Sequence, residues 1–244
     1  MNIHLTPAVK QILIACAVLF AGTWILKQSN IDLIEILGLH YPKSDLFKPW
    51  QLLTHMFMHG GISHILFNMF ALVSFGVVLE DFLGTKKFVK LYFISGLGAL
   101  IVHIAMQLIQ LHIDYGMWMP SFYDLGFTIE GDKISADGIH IKSQDALRKV
   151  GGILGGTVVG ASGAIYGVSV AFAYLFPNSK LMLMFIPYPI PAKILIPIVV
   201  LLDIFLGFSN FQNDPIAHFA HIGGALFGFL VVWYWRKFDK KTFY

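Results

Sequence analysis

Apolar stretches about as long as a membrane is thick recur along this chain, and they constrain its fold more than any other feature. Between Lys149 and Lys180, for example, no residue carries a formal charge. A helix that spans a bilayer needs roughly 20 predominantly apolar residues. We predict six such spans, at residues 9–26, 61–79, 88–109, 155–176, 192–208 and 217–235. The fold class expected from them is an all-α membrane protein with a six-transmembrane-helix bundle.

The composition excludes two other classes of protein. The chain is 57% hydrophobic and 13% charged, whereas a soluble domain carries about 25% charged residues. The net charge is only +3, and the basic residues are scattered rather than gathered in one patch, so we predict no nucleic-acid partner. We expect membrane lipid to surround the helices of this chain.

The first apolar stretch has a second interpretation, as the hydrophobic region of a signal peptide. It follows a single lysine and has a suitable length. The residues after it are Lys27, Gln28 and Ser29, which do not form a small-x-small cleavage site. We therefore predict a retained helix and a single membrane domain over residues 1–244.

Lysines and arginines predict the orientation of the bundle. With both termini inside, ten basic residues fall on inner segments and seven on outer ones, four of the seven in one long loop. Short inner segments of membrane proteins carry an excess of such residues. The sequence thus predicts cytoplasmic N- and C-termini. The compact six-span design favours a bacterial cytoplasmic membrane, with an organelle membrane as the alternative.

Two outer connections are long. Residues 28–60 mix apolar and polar side chains with aromatic ones, as a segment lying at the headgroups does. Residues 111–154 contain aromatics, turn signals and charges, which predict an ordered extramembrane insertion, with a hairpin as one option for its structure.

Three polar residues on different predicted spans lie at a common depth. Ser162 and His221 each lie 14 residues before the inner ends of the fourth and sixth spans, and His64 lies 15 before the inner end of the second. At about 1.5 Å per residue, each lies roughly 21 Å from the inner surface and therefore roughly 10 Å below the outer one. Asn68 follows His64 by four residues and shares its helix face.

Glycines occur in small-xxx-small pairs on the fourth and sixth spans, and such pairs let helix backbones approach closely. The pairs are Gly156 with Gly160, Gly163 with Gly167, and Gly224 with Gly228. Close approach would bring a short serine side chain within hydrogen-bond distance of an imidazole.

Each polar residue also has a simpler interpretation. Ser162 alone would more often be a packing residue, and His221, or His64 with Asn68, would more often be an interhelical hydrogen-bonding group. Their common depth favours a hydrolytic site instead, because an alcohol, a base and two donors are the parts of one.

Other polar residues of the chain are predicted to have no direct catalytic role. His55 and His59 have a metal-like spacing, but no third ligand is evident and no HExxH motif occurs, so no metal and no cofactor are predicted. His218 precedes His221 by three residues and is expected to support it. Asp203, in the fifth span, is expected to be paired locally.

The sequences at His64–Asn68, Gly160–Gly163 and Ala220–Gly224 resemble the motifs of the rhomboid intramembrane serine proteases. The three motifs fall in order on the second, fourth and sixth spans of a rhomboid-like bundle. The chain departs from many relatives in having Trp50-Gln51 where they have Trp-Arg, and in the length of the 111–154 insertion.

The resemblance implies a role for each matching residue. Ser162 would be the nucleophile and His221 the general base, as a dyad without a carboxylate. His64, Asn68 and the backbone N–H of Ser162 would stabilise the oxyanion. Tyr166 would orient the histidine ring, with Gly160, Gly163, Gly224 and His218 in supporting places. The implied substrates are transmembrane proteins, cut in or near the top of a membrane helix.

Two competing functions remain. A catalytically inactive relative would bind transmembrane clients without cutting them, which the presence of Ser162 and His221 disfavours. A transporter that uses Asp203 and the histidines as a proton path would show repeated halves, and the sequence contains no repeat.

Overall fold

The computed structural model describes residues 4–121, 123–125, 127–130, 133–136, 144–183, 186–209 and 217–239, which are mostly helical. The α-helices are α1 Pro7–Lys27, α2 Leu33–Leu37, α3 Gln51–Thr54, α4 Ile62–Leu83, α5 Thr85–Tyr115, α6 Gln144–Gly155, α7 Ser162–Leu175, α8 Ala192–Ser209 and α9 His218–Phe238. A 3₁₀ turn covers His55–Phe57, and α4 contains a π-helical turn at Leu72–Gly76.

Two short antiparallel strand pairs accompany the helices. Strand β1 (Phe127–Glu130) pairs with β2 (Lys133–Ala136), so that Phe127 lies opposite Ala136. Strand β3 (Lys180–Leu183) pairs with β4 (Ile186–Pro191). The first pair and α6 belong to the predicted insertion at 111–154, part of which lies outside the described residues.

Four helices in the described part of the chain are long and apolar enough to cross a membrane: α1, α4, α5 and α9. Each overlaps a predicted span and extends beyond it at one or both ends. Helix α8 coincides with the predicted fifth span, whereas α7, with 14 residues, is shorter than the predicted fourth span. A helical membrane bundle is therefore confirmed, and the count of six spans stays a prediction.

The fourth predicted span, 155–176, differs because its first residues are not helical. Val158 forms a β-bridge with Leu39 of the first outer segment, and Gly160 has a φ of +134°, a conformation that L side chains rarely adopt. Helix α7 begins only at Ser162. The prediction that Gly156 and Gly160 form a helical small-xxx-small pair is therefore wrong.

Polar contacts bring several helix ends together at one end of the bundle. The buried carboxylate of Glu80, late in α4, accepts hydrogen bonds from the backbone N–H groups of Ala8 and Val9 at the start of α1, and from Thr85 Oγ1 at the start of α5. Lys87 donates to Asp239, just after α9, at 2.5 Å. The start of α1 and the end of α9 consequently lie at the same end.

The centre of the bundle is built by α5, α7 and α9. Phe88, Leu91 and Tyr92 of α5 are completely buried. On the outside, large apolar side chains such as Phe70 and Leu201 are exposed. Exposed apolar side chains of this size on several helices are typical of a protein whose solvent is lipid.

The first outer segment is held in place by Gln51, the residue at which the chain departs from the Trp-Arg pattern. Its buried side-chain amide donates to the carbonyls of Ile36 and Leu46 and accepts from the backbone N–H of Lys48. The neighbouring Trp50 donates its indole N–H to the Ile36 carbonyl at 3.0 Å. A neutral amide thus bridges several backbone groups of this segment.

Candidate active site

The three polar residues predicted at one depth all lie near the N-terminal ends of helices. Ser162 is the first residue of α7, His64 is the third residue of α4, and His221 is in the first turn of α9. A helix leaves its first backbone N–H groups without intrahelical acceptors. Because α7 begins only at Ser162, its first backbone N–H groups lie beside the serine and have no intrahelical acceptors. In a longer helix these N–H groups would have been bonded within the helix.

The structure brings Ser162 and His221 into hydrogen-bond contact. His221 Nε2 lies 2.9 Å from Ser162 Oγ, within the 2.6–3.2 Å distance over which a base can accept a proton from an alcohol. Ser162 is half-buried and His221 is buried. An alcohol and an imidazole so arranged can carry out nucleophilic chemistry.

Tyr166 lies flat against the ring of His221. The ring centroids are 4.2 Å apart and the planes differ by 6°. Tyr166 is one helical turn after Ser162, so the element that carries the serine also carries the ring on which the histidine rests. This stacking limits the tilt of the imidazole.

Glycines allow α7 and α9 to approach as closely as the serine–histidine contact requires. A Cβ at Gly224 would overlap the carbonyl of Gly163, and one at Gly228 would overlap the backbone of Gly167. A Cβ at Gly163 would lie 2.5 Å from the Cβ of Ala99 on α5. The predicted glycine contact between these helices therefore exists, through the Gly163–Gly167 and Gly224–Gly228 pairs.

His64 and Gly160 lie beside the serine. A Cβ added at Gly160 would lie 2.8 Å from His64 Nε2 and 3.4 Å from Ser162 Oγ. The absence of a side chain at Gly160 therefore leaves space next to both groups. Buried Asn68 donates from Nδ2 to the carbonyl of His64 at 3.0 Å, and the amide nitrogen carries a second N–H.

Asp203 also lies next to His221, a contact that the sequence analysis did not predict. Its Oδ1 lies 2.5 Å from His218 Nδ1 and 3.4 Å from His221 Nδ1. The partners are histidines of another helix, 15 and 18 residues along the chain, so the prediction of a local pairing is wrong. The available signal was a carboxylate within a membrane span, which is costly unless it faces the bundle interior and has partners.

Asp203, His218 and His221 could also be considered as a metal site, since their donor atoms all lie within 4.8 Å of one another. Zinc ligands lie about 2.0–2.2 Å from the ion, which would hold tetrahedral donors well over 3 Å apart. The 2.5 Å contact between Asp203 and His218 is instead the length of a hydrogen bond between a ring N–H and a carboxylate. Hydrogen bonding accounts for this cluster.

The segment between α3 and α4 packs two further histidines next to the site. The carbonyl of His55 accepts from the backbone N–H of Gly160 at 2.9 Å, and the ring of His59 meets that of His64 edge-on with centroids 5.1 Å apart. Burial lowers the pKa of His55. Burial, and secondly the nearby His64, lower the pKa of His59 to about 4. Both rings are therefore neutral at pH 7.

A cavity of about 30 Å³ lies beside the serine. Among its lining residues are His55, His103, Gly160 and Ser162. Its volume is sufficient for a water molecule, and the histidines offer the polar partners that an ordered water requires.

Comparison with known proteins identifies the family of this arrangement. A family model described as "Rhomboid domain" matches residues 46–116 and 137–238. The matched region includes all residues of the site described above, together with α4, α5, α7, α8 and α9.

Curated relatives agree with this match. Rhomboid protein 1, mitochondrial, of Saccharomyces cerevisiae is 27% identical over 76% of this chain and 41% of its own length. An uncharacterized mitochondrial rhomboid protein of Schizosaccharomyces pombe is 27% identical over 77% of this chain and 52% of its own length. Rhomboid-like protease 3 of Toxoplasma gondii is 31% identical over 33% of this chain and 31% of its own length. The chain thus spans about half the length, or less, of these relatives.

The names of the relatives overturn one expectation. The compact six-span design favoured a bacterial cytoplasmic membrane, but both fungal relatives and an Arabidopsis thaliana relative, RHOMBOID-like protein 6, are named as mitochondrial. The prediction of a bacterial membrane is therefore wrong, because the number of spans carries no information about the compartment. A multi-pass membrane location agrees with the apolar helices.

The rhomboid family consists generally of intramembrane serine proteases, as the name of the Toxoplasma relative illustrates. Because the family model covers more than half of the 244 residues, this chain belongs to the rhomboid family.

Proposed function

We propose that the chain is an intramembrane serine endopeptidase that cleaves transmembrane segments of membrane-protein substrates with Ser162 and His221. The observation that carries the proposal is the 2.9 Å contact between Ser162 Oγ and His221 Nε2. These atoms come from two helices whose first turns face each other, so the contact does not arise from sequence proximity.

In the proposed reaction, His221 Nε2 accepts the Ser162 proton while Oγ attacks the carbonyl carbon of a peptide bond. The tetrahedral intermediate collapses when His221 returns the proton to the leaving amine, which leaves an acyl group on Ser162. A water molecule, activated by the same nitrogen, then releases the acyl group as a carboxylate. The cavity beside Ser162 offers a place for that water.

The oxyanion would be stabilised by the backbone N–H of Ser162, the ring of His64 and the second N–H of Asn68. The support for this assignment is the space at Gly160, which adjoins both His64 Nε2 and Ser162 Oγ. Removal of one donor aimed at a developing oxyanion raises the activation free energy by about 3–4 kcal/mol.

Labelling with a fluorophosphonate probe tests the nucleophile. Wild-type protein in detergent is expected to be labelled and to cut a model transmembrane substrate. Ser162→Ala and His221→Ala are expected to lose both activities while they remain folded, because each change removes a polar side chain and adds no atom to the packed helices. The alternative, a client-binding relative without protease activity, predicts substrate binding with no labelling of the wild type.

Two controls sharpen the test. Ser169→Ala changes another serine of α7, one whose hydroxyl bonds to the Ile165 carbonyl in its own helix, and it is expected to leave labelling unchanged. A metal chelator is expected to leave cleavage unchanged, since no step requires an ion. Labelling of the Ser162→Ala variant would refute the nucleophile assignment.

We also propose a mitochondrial membrane as the location, supported by the names of the relatives. Cell fractionation of a tagged chain tests this, with enrichment in the mitochondrial membrane fraction as the expected result. Enrichment in another membrane fraction would contradict it.

A further inference from the structure

We propose that Asp203 is a positioning residue that holds His221 in one tautomer, so that Asp203, His221 and Ser162 form one hydrogen-bonded relay. The inference rests on the proposed function of Ser162 and His221. It adds a carboxylate to the alcohol and the imidazole that the sequence motifs indicate.

The two partners of His221 lie at opposite nitrogens of its ring. Asp203 Oδ1 is 3.4 Å from Nδ1, and Ser162 Oγ is 2.9 Å from Nε2. A neutral imidazole donates from one nitrogen and accepts at the other, and an ionised carboxylate can only accept. Asp203 therefore favours the proton on Nδ1, which leaves the Nε2 lone pair directed at the serine hydroxyl.

The carboxylate is itself held in place. His218 Nδ1 donates to the same Oδ1 at 2.5 Å. Helices α8 and α9 are joined through this contact and through the one between Asp203 and His221. The contact with His218 keeps Oδ1 directed at α9, which is the condition for orienting the ring of His221.

Burial makes the charge of Asp203 effective. Its side chain is 8% exposed and that of His221 is 11% exposed. Coulombic attraction between charges is much stronger away from water than at an exposed surface. When His221 accepts the serine proton at Nε2, the ring becomes an imidazolium next to this anion, while Asp203 stays ionised.

Asp203→Asn tests the inference, with Asp81→Asn as the matched control, because Asp81 is an exposed carboxylate of α4. We expect Asp203→Asn to reduce kcat at least about tenfold with KM little changed, since carboxylate-to-amide changes in such relays cost far more in other enzymes. Asp203→Glu, which keeps the charge, should recover part of the rate.

A purely structural role for Asp203 would lower the melting temperature and leave kcat per folded molecule unchanged. An Asp203→Asn variant with the kcat and KM of Asp81→Asn would overturn the inference. Should Asp203→Asn fail to fold, nitrogen-15 NMR of labelled histidine in the wild type decides, with the His221 signal assigned by comparison with His221→Asn. A proton on Nδ1 supports the relay, and a proton on Nε2 contradicts it.

The failure of this inference is distinguishable from the failure of the proposed function. If Ser162→Ala still cleaves substrate, the nucleophile is misassigned and the relay fails with it. If Ser162→Ala is inactive while Asp203→Asn retains full activity, the protease function stands and only the relay is wrong.

Discussion

Gly224 on α9 lies directly against the backbone carbonyl of Gly163 on α7, with no room for a side chain between them. The contact lies one residue from Ser162 and three from His221. The distance between the two proposed catalytic side chains is therefore set by how closely two backbones pack, and a backbone cannot move aside as a flexible side chain can.

Gly224→Ala is expected to separate α7 from α9. The added methyl would overlap the Gly163 carbonyl, and overpacking of this kind costs typically about 1–3 kcal/mol. Probe labelling should fall more than the folded fraction, because a small displacement lengthens the Ser162–His221 contact. Gly151→Ala, at a helical glycine with open space around it, serves as the control and should be neutral or slightly stabilising. Equal labelling in both variants would show that the close contact does not set the site.

The stacking of Tyr166 on His221 predicts different effects for two substitutions. Tyr166→Phe keeps the ring and should stay within a few-fold of wild type. Tyr166→Leu removes the ring, and since stacked pairs are worth about 0.5–1.5 kcal/mol, kcat/KM should fall roughly threefold to tenfold further. Cleavage kinetics in detergent measure both. If Tyr166→Phe is as impaired as Tyr166→Leu, the hydroxyl of Tyr166 matters more than the stacking of its ring.

Glu80 should matter for stability and not for catalysis. It is buried at the end of the bundle where α1 starts, and it accepts from the N–H groups of Ala8 and Val9. Glu80→Ala leaves these donors without their partner, at roughly 1–3 kcal/mol each, and should lower the thermal unfolding midpoint. The exposed Glu35 gives the control Glu35→Ala. Activity per folded molecule should stay at the wild-type level. A loss of specific activity would show that the Glu80 end of the bundle affects the active site.

The pKa of His59 predicts a loss of stability in acid. Its folded-state pKa is about 4, below the ordinary value of about 6.5, so protonation favours the unfolded state. The contribution is complete above pH 6.5 and is lost as the pH falls toward 4, by roughly 3 kcal/mol in total. Thermal unfolding at pH 7.5 and pH 5 should show a smaller pH effect for His59→Gln than for wild type. An equal pH effect in both proteins would place the acid sensitivity elsewhere.

Much of the architecture follows from local sequence. The apolar stretches predict the helices α1, α4, α5, α8 and α9 to within six residues at each end, because each span must satisfy its backbone hydrogen bonds internally and shield them with apolar side chains. The rhomboid resemblance, carried by three short motifs, is confirmed by the family match. The compartment was not predictable, since helices of the same length and hydropathy serve in many membranes.

The sequence by itself determined that the chain is a bundle of apolar helices and that a serine and two histidines occur at similar distances along three of them. Only the tertiary structure decided that α7 begins at Ser162, because the segment before it pairs with Leu39 and turns at Gly160. Tertiary packing also brings Asp203 to His221. The physical reason is that hydropathy depends on each segment alone, whereas hydrogen-bond partners depend on which faces two helices present to each other.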